Sequence, residues 1–459
     1  MKGLCMSMEN NYNLHLKNKY DIIIAGGGTA GVIAAIAAAR SGAKTLLVER
    51  WGHVGGTAVF GIPFLGMFDC KDKKVVSGIP GQLVERMVKE GGSIGYTLGG
   101  KWADENYHFS LAPFEPETYK YVAQEMLLEA GASVLLHTFI MGAVVEDGQI
   151  KAIKVCNKSG VHELCAKVII DCTGDADVAF MAGAPMQDKE QLQNVTIIFR
   201  MGNVDIEKFV DALKNSRGVS GWNEWHTRLV TGKKIGSNTS TAVHIAGHFA
   251  LVESQETTFT AVSVAEGEVY INATRTIKID GSNAEDLSRG EIMERRNVHS
   301  IVKQVVKKVP GFEKARLLST SPLGIRESRN IVGEYILTKE DVIGGRVFED
   351  AVARGAYPID IHDPKGGRTR FTFIKDGGSY TIPYRCFLPL KVEGLLVAGR
   401  CLSATHEALG SARIMGTVMA QGEAVGTAAA LAVIDGLSPR KVDINKLRNV
   451  LRENGAIVD

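Results

Sequence analysis

Residues 20–50 read YDIIIAGGGTAGVIAAIAAARSGAKTLLVER, and this stretch decides the fold. Residues 20–25 form a short β-branched run suited to a strand buried on both faces. Gly26-x-Gly28-x-x-Gly31 follows at once, and an alanine-rich segment, 29–41, has the composition of a buried helix. Gly42 stops that helix, and residues 45–48 are a second buried strand ending at Glu49. In such a strand–turn–helix, Gly26 permits the tight turn, Gly28 lets a pyrophosphate approach the backbone, and Gly31 lets the helix lie close on the strand. The helix start offers unpaired N–H groups and a positive dipole end for phosphates. Glu49 stands where a carboxylate accepts the ribose hydroxyls of an adenosine. The pattern predicts a dinucleotide site.

Working outward, 459 residues suit two or three domains at about 150 residues each. With 45% hydrophobic and 23% charged residues the chain can bury a large core and is not disordered by composition. A net charge of +2 and the lack of any basic block interleaved with aromatics argue against a nucleic-acid partner. The 51 glycines cluster in apolar stretches without low-complexity repeats, which points to phosphate turns and close backbone approaches. Seven scattered cysteines make no C-x-x-C and no zinc spacing, so free thiols in a reducing, cytoplasmic compartment are expected. The first 19 residues read as a polar extension without the apolar core of a secretory signal. Residues 22–39 are uncharged, but the glycine run in their middle breaks a spanning helix, and no membrane partner is expected.

Beyond Glu49 a second glycine pair, Gly55-Gly56, leads into an irregular stretch rich in Gly, Phe and Pro. A helix is expected over 117–130. Strand-like runs at 133–140, 150–155 and 161–170, separated by the turns Glu146-Asp147-Gly148 and 157–160, read as a β-meander. The last run flows into Asp171-Cys172-Thr173-Gly174-Asp175. Near the C-terminus, residues 395–398 form a buried strand ending at Gly399-Arg400, and a helix over 417–434 is studded with Gly and Ala, able to pack closely on the first helix.

The fingerprint, the meander crossover and the Thr-Gly-Asp strand end resemble the glutathione-reductase-like FAD-binding fold. More narrowly, ERWGHVGGTA (49–58), VIIDCTGDADVA (168–179), INATRTIKIDG (271–281), LGIRESRNIVGEYILT (323–338) and the run from LLVAGRCLSATHEALG onward (395–432) resemble the FAD-dependent oxidoreductases related to fumarate-reductase and GidA-type flavoproteins. The resemblance implies an α/β chain with a Rossmann-like FAD-binding domain, a three-stranded meander crossover and an inserted α+β substrate domain. The expected boundaries are 20–58, 117–183 and 389–459 for the FAD domain, and 59–116 and 184–388 for the insert. It implies non-covalent FAD held by Gly26, Gly28, Thr29, Ala30 and Gly31, by Glu49 and Arg50, and by Gly55, Gly56 and Thr57. Further contacts are expected from Val144, from Thr173, Gly174 and Asp175, from Gly399 and Arg400, and from Met415, Gly416 and Thr417 at the second helix start. The broader fold often ends the 395–398 strand in Gly-Asp; Arg400 stands there instead, and Asp175 is the substitute considered for its ribityl contact.

For catalysis the candidates are Arg326 and His406. Arginine stays charged and offers a planar fork of donors to a carboxylate or developing enolate. A histidine's ordinary pKa lies near working pH, which suits a proton donor or acceptor beside a hydride transfer. Arg329 and the Pro383-Tyr384-Arg385 segment are secondary candidates, the bland reading of Arg326 and Arg329 being a salt bridge to Glu327 or Glu334. His53 lies close to the expected flavin. His244 and His248, spaced i, i+4 as on one helical face, lack a third ligand and the H-E-x-x-H pattern, so no metal is expected. No second Gly-x-Gly-x-x-Gly follows a strand, so electrons are expected to pass through the substrate site or an external donor or acceptor. The expected function is hydride exchange between flavin N5 and a small organic molecule held between two domains. An RNA-modifying GidA-like protein and a non-catalytic FAD-containing binding protein are the alternatives.

Overall fold

The structure is a computed structural model that describes residues 19–101, 107–189, 192–209, 223–230, 234–235, 238–239, 242–252, 255–362 and 369–459. The polar extension lies outside the described residues except for Lys19. A five-stranded parallel sheet runs in the order Leu395–Val397, Val168–Asp171, Ile22–Ala25, Thr45–Val48, Ser133–Leu135. The three inner strands are buried along their whole length, as their continuous apolar runs require. The first helix, Thr29–Arg40, connects the first two strands and is buried from Thr29 to Ala38.

The helix Met415–Asp435 lies on the first helix, and glycine sets the distance. A Cβ on Gly422 would stand 2.4 Å from the Ala30 carbonyl oxygen, and one on Gly426 2.3 Å from that of Ala34. By length and composition Met415–Asp435 could cross a membrane, but most of it is buried inside the fold, where an all-round apolar helix belongs. The uncharged stretch at 22–39 divides into the first strand and the first helix.

Two expected runs each prove to be two elements. Residues 133–140 split into Ser133–Leu135, which joins the parallel sheet, and Phe139–Glu146, the first meander strand. His137, at φ 51°, turns the chain between them. Residues 161–170 split likewise, Gly160–Cys165 closing the antiparallel meander with Gln149–Asn157, and Val168–Asp171 entering the sheet. The irregular stretch after Gly56 holds a helix, Ile79–Lys89, and a small antiparallel sheet of Phe64–Leu65, Thr97–Lys101 and His108–Ala112.

A second, six-stranded antiparallel sheet includes Ile198–Gly202, Gln255–Ala265, Glu268–Asn272 and Arg316–Thr320, with the helix Ala284–Lys308 packed on it. That helix begins where Asn283 caps it, accepting from the N–H groups of Glu285 and Asp286. His244 and His248 belong to the strand Ala242–Val252 of this sheet, opposite Val262 and Thr258, and not to a helix. Alternating β-rich flanks outweigh the coincidental helical spacing there.

Candidate active site

The predicted cofactor residues gather at the C-terminal edge of the parallel sheet, where an open α/β sheet leaves a crevice beside its first strand. Gly28 caps the first helix without any side-chain hydrogen bond, and the first turn holds no acidic residue. A Cβ added to Gly28 would meet nothing within 4 Å, whereas one on Gly31 would lie 1.9 Å from the Gly26 carbonyl oxygen. An uncapped helix start inside a buried layer, with free space over its first residue, is a cradle for a phosphate. Glu49 steadies it: Oε2 accepts the Gly27 N–H at 2.7 Å and Oε1 the Trp51 N–H at 2.9 Å. Each carboxylate oxygen retains a lone pair for a hydroxyl. The Gly55-Gly56 turn closes on the same loop, the Gly55 N–H donating to the Gly27 carbonyl at 2.7 Å and Thr29 Oγ1 to that of Gly55 at 3.4 Å. Thr57 follows in the short 3-10 helix Gly56–Phe60, and Arg50 lies over the Trp51 ring. Val144 sits on the first meander strand opposite Ala152.

The neighbouring strand ends are braced by buried polar side chains. Asp171 accepts from the Thr173 N–H, the Thr173 hydroxyl and the Ala179 N–H, while burial pushes its carboxyl above the usual range. Asp175 accepts from Ser328 Oγ at 2.6 Å and Arg400 Nη2 at 3.1 Å, so Arg400 folds over Gly174 onto the acid considered as its substitute. Gln421 accepts the Gly399 N–H at 2.9 Å and donates to the Ala412 carbonyl at 2.8 Å, fixing the second helix against the strand end. That helix, beginning at Met415 and Gly416, also has no side-chain cap and no acid in its first turn. Thr417 is fully buried, yet its hydroxyl has no protein partner. These bare donors fit a flavin dinucleotide.

His406 opens the helix His406–Ala412, which Thr405 caps. Its Nδ1 lies 2.8 Å from Glu327 Oε2, in ion-pair range though without hydrogen-bond angles. The other Glu327 oxygen accepts from Lys189 Nζ at 2.7 Å, and Lys189 also donates to Asn330. Burial alone would raise the Glu327 carboxyl, but His406 and Lys189 outweigh it and hold it below the usual range. A buried carboxylate against Nδ1 orients the ring and leaves Nε2 to handle a proton.

Arg326 falls in an adjoining cluster and is paired with neither Glu327 nor Glu334. Nη1 donates to the Asn194 carbonyl at 2.7 Å. Around it stand Arg275, Arg413, Asp360 and His362. His362 Nε2 is 3.5 Å and Arg413 Nη2 3.6 Å from the Asp360 carboxylate. Burial first, then Arg413 and Arg275, pushes Arg326 down to about 9. Burial and Arg326 push His362 down to about 3, so its imidazole is neutral at working pH.

The other candidates of the sequence make contacts within the protein. Arg329 pairs with Asp177 at 2.6 Å and lies over the Phe180 ring. Glu334 pairs with Arg440, and Arg385 pairs with Asp350 beside the Tyr335 ring. His53 approaches the Val54 carbonyl at 3.3 Å. Among the described residues no group of three or more His, Cys, Asp or Glu is placed to hold a metal. Sequence reasoning did not single out Lys189, Gln193 or His362, which the fold brings beside His406 and Arg326. Glu327 was visible as a neighbour of Arg326, but nothing in its spacing revealed that it faces His406.

A family model described as FAD dependent oxidoreductase matches residues 21–451. Digeranylgeranylglycerophospholipid reductase 2 of Methanopyrus kandleri is 25% identical over 210 residues, 42% of this chain and 49% of that protein. The corresponding reductase of Methanoculleus marisnigri is 28% identical over 184 residues, 37% of this chain and 42% of that one. The chain thus spans half or less of the curated relatives it matches. Among solved structures, a geranylgeranyl bacteriochlorophyll reductase-like protein from Thermoplasma acidophilum superposes with a TM-score of 0.51 at 14% identity, covering 95% of this chain and 84% of that one. A myxobacterial FAD-dependent chondrochloren halogenase gives 0.50 at 12% identity, covering 95% and 79%. At these identities the likeness is one of fold.

Proposed function

The chain belongs to the FAD dependent oxidoreductase family, and from that premise we propose that this FAD-dependent enzyme exchanges a hydride with a small organic substrate held between its dinucleotide layer and the six-stranded sheet. When bound, FAD supplies a two-electron carrier that takes up or gives out the hydride at its N5. The chain supplies the rest. The first helix start and the Gly26–Gly31 turn hold the pyrophosphate, and Glu49 takes the adenosine ribose. The start of Met415–Asp435 presents uncapped N–H groups and the bare Thr417 hydroxyl to the isoalloxazine, where a helix dipole stabilises negative charge. His406, backed by Glu327, moves the proton that accompanies the hydride. The free cysteines among the described residues suit a reducing compartment, consistent with a cytoplasmic enzyme.

The observation that carries this reading is His406 against the fully buried Glu327 carboxylate, immediately beyond the strand end at Gly399. The test is anaerobic stopped-flow absorbance of the purified protein, following flavin bleaching with hydroxy acids, sugars and polyols, amines and amino acids. The photoreduced protein is tested for reoxidation by unsaturated acids and by a prenylated phospholipid of the kind named for the relatives. Turnover of the flavin by at least one class is expected, with FAD released intact by heat or acid. A flavin inert toward every class in both directions, or one left on the protein after denaturation, contradicts the reading or its non-covalent part respectively.

A further inference from the structure

The cluster around Arg326 holds a charge that no described residue pairs with, although Asp360 and Glu294 attract it through space. Arg326 is more than nine-tenths buried, makes one hydrogen bond, to a carbonyl, and has no ion-pair partner among the described residues. Asp360 is occupied by His362 and Arg413. Gln193, 2% exposed, uses its Oε1 to accept from the His362 N–H and from Arg413 Nη2, both at 3.3 Å, and its Nε2 is left bare. Arg413 Nε is bare as well, and Asn194, 1% exposed, has neither carboxamide atom partnered. A guanidinium is rarely buried without a counter-charge, and buried polar atoms are rarely left unpaired, unless a ligand completes them. Apart from the Asn194 carboxamide oxygen and the Asp360 oxygen facing His362, the bare groups here are donors, so their complement is an acceptor carrying negative charge. One side of the cluster is apolar: Tyr357 and Ile414 pack with Leu111 and Cys70, and Ile414 joins Arg413 to the second helix start.

Resting on the proposed reading of the site, we infer that the substrate carries a carboxylate, which Arg326 and Arg413 bind while Tyr357 and Ile414 pack against an apolar body next to it. A planar, two-oxygen acceptor matches the guanidinium fork. The anion would place the substrate beside the start of Met415–Asp435, where Arg413 is only two residues away along the chain.

The experiment titrates the FAD-loaded protein by calorimetry, in buffer free of phosphate and carboxylates, with benzoate, benzamide and phenyl phosphate. Benzoate is expected to bind, with benzamide and phenyl phosphate each at least tenfold weaker. Arg326→Gln should weaken benzoate at least tenfold at an unchanged ratio of FAD to protein, while Arg289→Gln, which removes an exposed pair with Asp286, should not. Equal binding of benzoate and benzamide by the parent, absence of benzoate binding, or undiminished binding by Arg326→Gln would overturn the inference. Preference for phenyl phosphate would overturn the carboxylate assignment. A second measurement separates binding from scaffolding. Removing a buried charge that lacks an ion-pair partner should leave the melting temperature of ligand-free Arg326→Met equal to or above that of the parent, and a clear drop would make Arg326 a structural residue. The two readings fail separately. Benzoate binding by a protein whose flavin no substrate turns over sinks the redox role alone, and flavin turnover by neutral compounds without benzoate binding sinks the carboxylate alone.

Discussion

The glycine-rich end of the parallel sheet and the Arg326–His406 region lie in one fold but are built on opposite terms. At the sheet edge the buried polar side chains are answered by the protein: Glu49 by two backbone N–H groups, Asp171 by three donors, Gln421 by a donor and an acceptor. What remains open there is space over Gly28, two uncapped helix starts and the buried Thr417 hydroxyl at the second of them. Around Arg326 the polar atoms themselves are left open, on Arg413, Gln193 and Asn194. A region finished by the protein recognises a ligand by shape and backbone dipoles; one left unfinished recognises it by charge. The first kind suits a cofactor that stays, the second a substrate that leaves.

The sharpest way to break this contrast uses two glycines of one turn. Gly31→Ala drives a Cβ into the Gly26 carbonyl and is expected to cost the soluble fold itself, since the strand and helix backbones cannot both give way. Gly28→Ala meets no protein atom and sits at φ −71°, which any residue adopts, so it should fold and melt normally without cofactor yet lose FAD. Yield, apoprotein melting and flavin content read both variants; an FAD-replete Gly28→Ala protein would show that the phosphates lie elsewhere. On the other side, His406→Ala is expected to keep FAD and slow flavin turnover by roughly 10² to 10⁴. Glu327→Gln should give a smaller loss and displace the pH–rate profile, because it acts only through the imidazole. A profile unchanged from the parent's would leave Glu327 as packing.

Glu49→Ala comes next, with about 1–3 kcal/mol lost in FAD affinity as ribose hydroxyls lose their acceptor. Its loss of the Gly27 and Trp51 hydrogen bonds should also lower apoprotein stability, which equilibrium dialysis and melting together separate. The smallest effect lies behind the sheet edge. Glu423 is buried on the second helix with both oxygens near the Ile79 N–H, and burial pushes its carboxyl up to about 8. It is therefore neutral in the folded chain, whereas the unfolded chain ionises it in the ordinary range near pH 4.3. Stability is fully present below that range and is lost as pH rises toward 8. Glu423→Gln should flatten this slope in melting curves taken between pH 5 and 8.5, and a parental slope in the variant would contradict the assignment.

The difference between the regions also explains what the sequence could reveal. Gly26, Gly28, Gly31 and Glu49 were legible because their chemistry is local: strand, turn, helix and strand follow within one short stretch, and spacing alone sets the geometry. The close packing of Met415–Asp435 on Thr29–Arg40 was legible too, from its small residues. The Arg326 cluster was not, because Gln193, Arg275, His362 and Arg413 come from distant segments and share no spacing. Glu327 was legible as a charge but not as the partner of His406, since adjacent residues serve different clusters only once the loop is folded. The break at His137 was hidden for another reason: its left-handed backbone lies inside an apolar run that reads as one strand.

The central claim is that the Arg326–His406 region does chemistry on a substrate rather than joining two parts of the fold. Anaerobic single-turnover reduction of the flavin, measured by stopped flow with the best substrate on the parent, Arg326→Ala and His406→Ala, tests it most directly. Both variants are expected to hold FAD at the parental ratio and melt within a few degrees of the parent, while flavin reduction slows by roughly 10² or more in each. Parental reduction rates per bound flavin, accompanied by lowered melting temperatures, would contradict it.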